Sequence, residues 1–275
     1  KSLSFKLDIA LTIIGNMEAT PQDIDLAQHS IDKATLFDGF ADAPCLKIWH
    51  EFALHDRIGR GPSFAFPFFE INKFDQRRIN HLKSVDGMIV ASKWAKEVIK
   101  DHIDVPPALV SVIPLGVDGT IFQKGPHQIT DKCVFFNCGK WEKRKGHDIL
   151  LEMFKQAFPN EKDVELWMMC SNPFLSAETG FTKVAHEWQR YYQSDPRVKL
   201  IGRVATHAEV AEIMSKTNCG IFPSRAEGWN LELLEMMAMG KDVIATNYSA
   251  HTEFCTPENA HLMEIESLEK AEDGI

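Results

Sequence analysis

From about residue 130 onward, short apolar runs alternate with longer stretches whose apolar residues recur at helical spacing. Neighbouring strands joined by a helix-length excursion pair in parallel, so this order dictates a parallel sheet with helices on its faces. The predicted strands fall at 133–137, 164–169, 198–201, 219–222, 242–246 and 261–264, and the predicted helices at 148–157, 183–192, 208–216 and 231–239. In the first of these helices Ile149, Leu150, Met153, Phe154 and Ala157 share one face. Gly240 stands where a C-terminal helix cap belongs.

The first part of the chain follows the same order less completely. Strands are predicted at 45–49, 87–91 and 109–113, and helices at 72–83 and 93–101. Residues 59–69 crowd Gly, Pro and Phe together and read as a packed loop, while residues 1–43 offer one strand at 7–14 and a turn at Thr20-Pro21. A chain of 275 residues accommodates two compact units. The boundary is placed at Gly116-Val117-Asp118, with Gly125-Pro126 completing the linker, because the apolar run stops at Pro114 and the next begins at Cys133. The expectation is an α/β protein with an abbreviated first domain, residues 1–118, and a doubly wound second one, residues 119–275.

A net charge of −9 opposes attraction to phosphate backbones or anionic lipid, and residues 1–120, with 13 basic and 16 acidic side chains, form no basic module. Nucleic acid is therefore not an expected partner. Six cysteines without a CxxC pair read as buried free thiols of a reducing, cytoplasmic setting. No apolar run reaches the roughly 20 residues that span a bilayer, so no transmembrane segment is expected.

Two segments carry chemistry. Pro223-Ser224-Arg225-Ala226-Glu227-Gly228-Trp229-Asn230-Leu231 follows the strand at 219–222 and opens the helix at 231. A strand, a glycine turn and a helix start aim free N–H groups and the positive end of a helix dipole at an anion. Glu227 and Glu235 would diverge by roughly 80° on one continuous helix. Glu227 is therefore placed in the turn and Glu235 one turn into the helix, both facing one pocket; the alternative has Glu227 capping the helix and Glu232 and Glu235 on its wet face. The second segment, Gly139-Lys140-Trp141-Glu142-Lys143-Arg144-Lys145-Gly146, sets four cations ahead of a helix N-terminus, which they oppose, so they call for an anion. Lys143 and Arg144 read as solvent-facing.

Together these segments resemble the signature of retaining GT-B glycosyltransferases of family GT4, the glycosyl transferases group 1. The matching positions are Pro223-Ser224, Glu227-Gly228, Leu231, Leu234-Glu235, Met237-Ala238 and Gly240, with Gly139-Lys140 and Lys145-Gly146 upstream. The resemblance implies a GT-B architecture of two Rossmann-like domains facing across a cleft. It implies transfer, with retention, of a sugar from a UDP-, GDP- or ADP-linked donor to a hydroxyl of an unknown acceptor: saccharide, lipid or small molecule. No cofactor and no metal are implied. By the same resemblance Glu227 contacts the donor sugar, Glu235 the ribose, and Lys140 and Lys145 the diphosphate, joined by Gly228, Trp229, Asn230 and Leu231. Gly202, Arg203 and Val204 form the turn that holds the base. His50, preferred over His55, lies near the sugar, so the catalytic set is Glu227, His50 and Lys145.

Asn230 stands where many members have Gly, and Asn best tolerates positive φ among other residues. The phrase from Ile113 to Asp118, with Phe122, resembles the family hinge. Asp23-Ile24-Asp25 reads as a helix start, not as a metal-binding DxD motif. The likeness runs over 46–263 and is strongest at 133–254; the glycine-rich acceptor-side loop is not visible in the first 45 residues, and the chain stops before the helix that crosses back in the family. A non-catalytic nucleotide-sugar-binding protein is the rival expectation.

Overall fold

The computed structural model describes residues 21–35, 42–55, 59–125, 131–172 and 182–271. The strand predicted at 7–14 lies outside them, as does Thr20. Pro21 opens α1 (Pro21–Thr35), which contains Asp23-Ile24-Asp25 in its first turns, as expected of a helix start.

Two parallel sheets follow. The first comprises β1 (Cys45–His50), β2 (Ser63–Phe68), β3 (Gly87–Val90) and β4 (Val110–Val112), in that spatial order, with α2 (Gln76–Lys83) and α3 (Lys93–His102) as crossovers. Its core gathers Leu54, Phe69, Leu82, Val90, Ile99 and Val110. Two expectations need correction here. The packed loop at 59–69 contains β2, in which Ser63, Ala65 and Pro67 are buried and Phe64, Phe66 and Phe68 alternate on the other face. Pro67 is tolerated because the hydrogen-bonded register to β3 ends at Ala65. The helix predicted from 72 begins only at Gln76, capped by the Asp75 side chain, which accepts from the Arg78 N–H at 2.8 Å. Residues before the cap instead seat buried Phe74, whose N–H donates to His102 Nε2 at 3.2 Å.

The second sheet comprises β5 (Cys133–Gly139), β6 (Val164–Cys170), β7 (Val198–Leu200), β8 (Cys219–Phe222), β9 (Asp242–Thr246) and β10 (His261–Met263). Its order is β10-β9-β8-β5-β6-β7, every pair parallel. The crossovers are α4 (His147–Ala157), α5 (Thr182–Tyr192), α6 (His207–Ser215) and α7 (Leu231–Ala238). All lie within two residues of their expected bounds. One core packs Phe136, Phe222, Met214, Leu233 and Met236, and takes in Val117, Ile121 and Phe122 from the connecting segment; a second packs Trp141, Leu150, Leu166 and Tyr192. All six cysteines are free, yet only Cys219 and Cys255 are buried and Cys133 is exposed, against the expectation of uniformly buried thiols.

The two sheet units touch at several places. Trp229 and Ala250 pack with Ala91, Phe66, Leu115 and Phe254. The Lys93 N–H at the start of α3 donates to Glu253 at 2.5 Å, a carboxylate placed on a positive helix end. Trp94 meets Tyr248 edge to face at 6.0 Å between centroids.

Candidate active site

After β5 the chain moves outward to β6 and β7, and with β8 it starts again on the other side of β5. At such a reversal the loops leaving adjacent strands separate, and a crevice opens at their carboxyl ends. The loops concerned are 140–146 and 223–230, the two segments singled out by sequence.

Each loop rests on a buried, neutral histidine. His147, fully buried at the start of α4, donates through Nε2 to Asn137 Oδ1 at 2.9 Å, while Asn137 Nδ2 donates to the Ile221 carbonyl at 2.7 Å. His147 Nδ1 is thereby left to accept the Glu142 N–H at 3.3 Å. Burial, then neighbouring Lys145, pushes its pKa down to about 3. Below the second loop, Asn230 Nδ2 donates to His251 Nε2 at 2.9 Å, and His251 Nδ1 donates to the Thr246 carbonyl at 3.0 Å. Asn230 itself has φ +79° and caps α7 through Oδ1, which accepts from the Leu233 N–H at 3.2 Å. The cap of α7 is thus Asn230, not Glu227.

The loops also hold each other. The Arg225 N–H donates to the Arg144 carbonyl at 2.7 Å, and the Arg225 guanidinium grips Asp148 at 2.7 and 2.9 Å. Gly146 sits at φ +75°, where an added Cβ would lie 2.3 Å from the Pro223 carbonyl oxygen. Only glycine permits this approach.

Between the loops lies a buried ionic cluster centred on Glu227. Its carboxylate accepts from Ser224 Oγ at 2.8 Å and Arg144 Nη1 at 2.8 Å, and pairs with Lys145 Nζ at 3.0 Å. Burial works against its charge, but Lys145 and then Arg144 prevail and hold it well below the usual carboxylate range. Lys145 is raised in turn: burial opposes its charge, and Glu227 and Glu232, the latter at 3.9 Å, outweigh it. Arg144 is not solvent-facing, contrary to expectation. Its side chain, 14% exposed, also pairs with Glu142 at 2.7 Å and donates to the Ala226 carbonyl at 3.0 Å. The anion that the loop cations call for is supplied here by the protein's own carboxylates.

The other expected residues take distinct places. Lys140 lies at the rim, 44% exposed, 2.9 Å from Glu142. Glu235 is on α7, and burial, then Glu232, lifts its pKa to about 7. Glu232 and Glu235 are both half-buried, and Glu232 lies 3.9 Å from Lys145, so neither stands on a fully wet helix face. Gly228, Trp229 and Asn230 are buried and Leu231 is exposed. Trp229 Nε1 is a buried donor without a partner among the described residues. Gly202 and Arg203 are exposed and Val204 packs on the Phe136 and Phe222 core; among the described residues no hydrogen bond or ion pair joins them to the charged cluster. His50 ends β1, exposed, stacked on Phe52 at 5.2 Å. His55 is turned toward His81 instead. Sequence reasoning missed Arg144, Glu142, His147 and His251. Only Arg144 and Glu142 carried a signal, as charges inside a motif; the histidines became legible once buried. Among the described residues no group of three or more His, Cys, Asp or Glu is arranged to hold a metal ion, and no helix is long and apolar enough to cross a membrane.

Comparison with known proteins gives this geometry a context. The chain is 25% identical over 199 residues to the MMP alpha-(1->4)-mannosyltransferase of Mycolicibacterium hassiacum, covering 70% of this chain and 43% of that one. It spans about four tenths of the length of the curated relatives it matches. Among solved structures it resembles sucrose-phosphate synthase from Thermosynechococcus elongatus, with a TM-score of 0.66 and 18% identity over 90% of this chain and 68% of that one. It also resembles Anabaena HepE in complex with UDP-glucose, with a TM-score of 0.61 and 20% identity over 76% and 60%. The fold is thus α/β of the GT-B type. The sequence profile of the glycosyl transferases group 1 matches residues 132–273, 142 of the 275, and it covers both loops of the ionic cluster. The chain belongs to the glycosyl transferases group 1.

Proposed function

We propose that this chain carries the donor site of a retaining, metal-independent glycosyltransferase of the GT4 type, moving a sugar from a nucleoside diphosphate sugar to an acceptor hydroxyl. The observation that carries the reading is the Glu227–Lys145–Arg144 cluster at the carboxyl ends of β5 and β8. A carboxylate held ionised by two cations is suited to accept from sugar hydroxyls, and the same cations are suited to a departing diphosphate. Lys145, Arg144 and rim Lys140 would take the phosphates, with the N–H groups from Gly228 to Leu231 beside them. Glu235 would take the ribose, the 202–204 turn the base, and His50 the sugar from the opposite wall. In front-face displacement the acceptor oxygen joins the anomeric carbon as the bond to the diphosphate breaks, and the diphosphate takes up the acceptor proton. We place the domain boundary at Gly116-Val117-Asp118, supported by Val117 packing on the Phe136 and Phe222 core of the second sheet. Six free cysteines support a reducing, cytoplasmic setting. The UDP-glucose bound by the Anabaena neighbour favours a UDP-linked donor.

A thermal-shift panel of UDP-, GDP- and ADP-glucose tests the reading, since a ligand at 100 times its dissociation constant stabilises by about 2.7 kcal/mol. Lys145→Ala is expected to weaken nucleotide binding by about 1.5–3 kcal/mol, with EDTA without effect. A strict requirement for Mg²⁺ or Mn²⁺ would overturn the phosphate assignment. One second reading, a nucleotide-sugar binder without turnover, is favoured by the engagement of Glu227 with Arg144 and Lys145, which leaves that carboxylate already paired. Release of nucleotide from bound donor separates the two.

A further inference from the structure

Resting on the donor-site reading above, we propose that Glu70 is the acceptor-orienting carboxylate of the cleft, holding one hydroxyl of a polyhydroxylated acceptor while a neighbouring hydroxyl attacks. Glu70 lies two residues past the end of β2. The register of β1 against β2 sets His50 beside Phe68, so His50 and Glu70 leave the first sheet at the same carboxyl edge. That edge faces the ionic cluster of the second sheet. The Phe69 carbonyl oxygen and Glu70 Oε1 stand 3.1 and 3.8 Å from the point where a Cβ on Gly228 would lie. Glycine at 228, next to Glu227, thus lets the Phe69 carbonyl approach the donor turn closely, and this approach brings the Glu70 carboxyl to the same turn at ordinary contact distance.

The two carboxylates at this turn are differently engaged. Glu227 already holds Arg144, Lys145 and Ser224. Glu70 forms no ion pair among the described residues, although the charges of Arg144, Glu227 and Glu142 bear on it, and it is half-buried. Burial raises its pKa, with Arg144 pulling the other way. A partly desolvated acceptor without a close donor is set to accept from a ligand hydroxyl. In the donor-site reading the loop cations take the phosphates and His50 and Glu227 the donor sugar, so the hydroxyl left to Glu70 is that of the acceptor.

The chemistry balances without Glu70 changing its own bonds. The attacking acceptor oxygen forms a bond to the anomeric carbon while the bond from that carbon to the diphosphate oxygen breaks. The bonding pair leaves with the diphosphate, which takes the proton of the attacking hydroxyl. Glu70 accepts from a second hydroxyl and fixes the angle of attack. It follows that the acceptor carries at least two hydroxyls. A site built to hydrogen-bond a hydroxyl discriminates strongly against the analogue lacking it.

The test is a competition between glycerol and 1-propanol for glucose from UDP-glucose, read by mass spectrometry as the ratio of the two glucosides. Wild type is expected to favour glycerol, and Glu70→Gln to lower the ratio by about tenfold or more, with Glu70→Asp intermediate. UDP affinity, measured by calorimetry, is expected to stay within about twofold, as befits the loss of one hydrogen bond outside the donor site. An unchanged product ratio in Glu70→Gln, or a fall in UDP affinity with the ratio intact, overturns the assignment and makes Glu70 a wedge between the units. UDP binding with transfer to neither alcohol in wild type overturns it in favour of the binder. Absence of nucleotide binding in wild type is a different failure, that of the donor-site reading itself.

Discussion

Replacing Glu227 by Gln keeps the shape of the side chain and removes its charge, which isolates what the ionic cluster contributes. In the native cluster the carboxylate faces Lys145 at 3.0 Å and Arg144 at 2.8 Å, with all three side chains largely buried. After substitution Arg144 keeps Glu142 at 2.7 Å, but among the described residues Lys145 keeps only Glu232, at 3.9 Å. Breaking a buried pair by removing one partner costs about 3–5 kcal/mol, and the partners remaining to Arg144 put this case at the lower end, about 3 kcal/mol. For a chain of this size each kcal/mol lowers the melting temperature by roughly 2–4 °C, so a fall of roughly 6–12 °C is expected. The uncovered cations should then bind inorganic diphosphate more tightly than in wild type, while glycosyl turnover falls by roughly 10²–10³-fold. Differential scanning calorimetry with and without diphosphate reads the first two effects, and a coupled nucleotide-release assay the third. A melting temperature within about 2 °C of wild type, or weaker diphosphate binding, would show that Glu227 does not neutralise Lys145 and Arg144.

Three further outcomes are expected. Asn230→Ala should destabilise by about 2–4 kcal/mol, combining a lost cap, an Ala forced to positive φ and an unpaired His251; Asn230→Gly, which relieves the φ, should cost less, and chemical denaturation that ranks Gly below Ala would contradict the cap geometry. Glu235 holds its proton more tightly folded than unfolded, its pKa lifted from 4.5 to about 7, so it takes stability away as pH rises through that window; urea midpoints of Glu235→Gln should lack this decline, and parallel curves would remove the effect. His50→Ala should leave nucleotide affinity and melting temperature nearly unaltered while turnover drops by about 10–10³-fold, and an intact rate per folded molecule would take His50 out of the cleft.

The strands and helices of residues 133–263 were legible because each is specified locally: apolar period, a capping residue, a glycine stop. Asn230 shows the same, since positive φ at a helix start is a property of the residue and its neighbours. Even the misread β2 left a local trace, for Phe64, Phe66 and Phe68 repeat with period two, and Pro67 masked it. The resemblance to the group 1 signature likewise singled out Glu227, Lys145 and Lys140 on the two loops that come together here. Partnership between distant charges is different in kind. Arg144 and Glu227 are 83 residues apart, and whether a cation in a basic loop meets water or a carboxylate depends on how β5 and β8 come to lie side by side. The same holds for His147 and His251, whose neutrality comes from burial that packing alone imposes. It holds most of all for Glu70, an ordinary acidic residue in the chain, which reaches Gly228 only because two separate sheets close on one another. Short-range geometry is written residue by residue; desolvation and pairing across the cleft arise from the assembled fold.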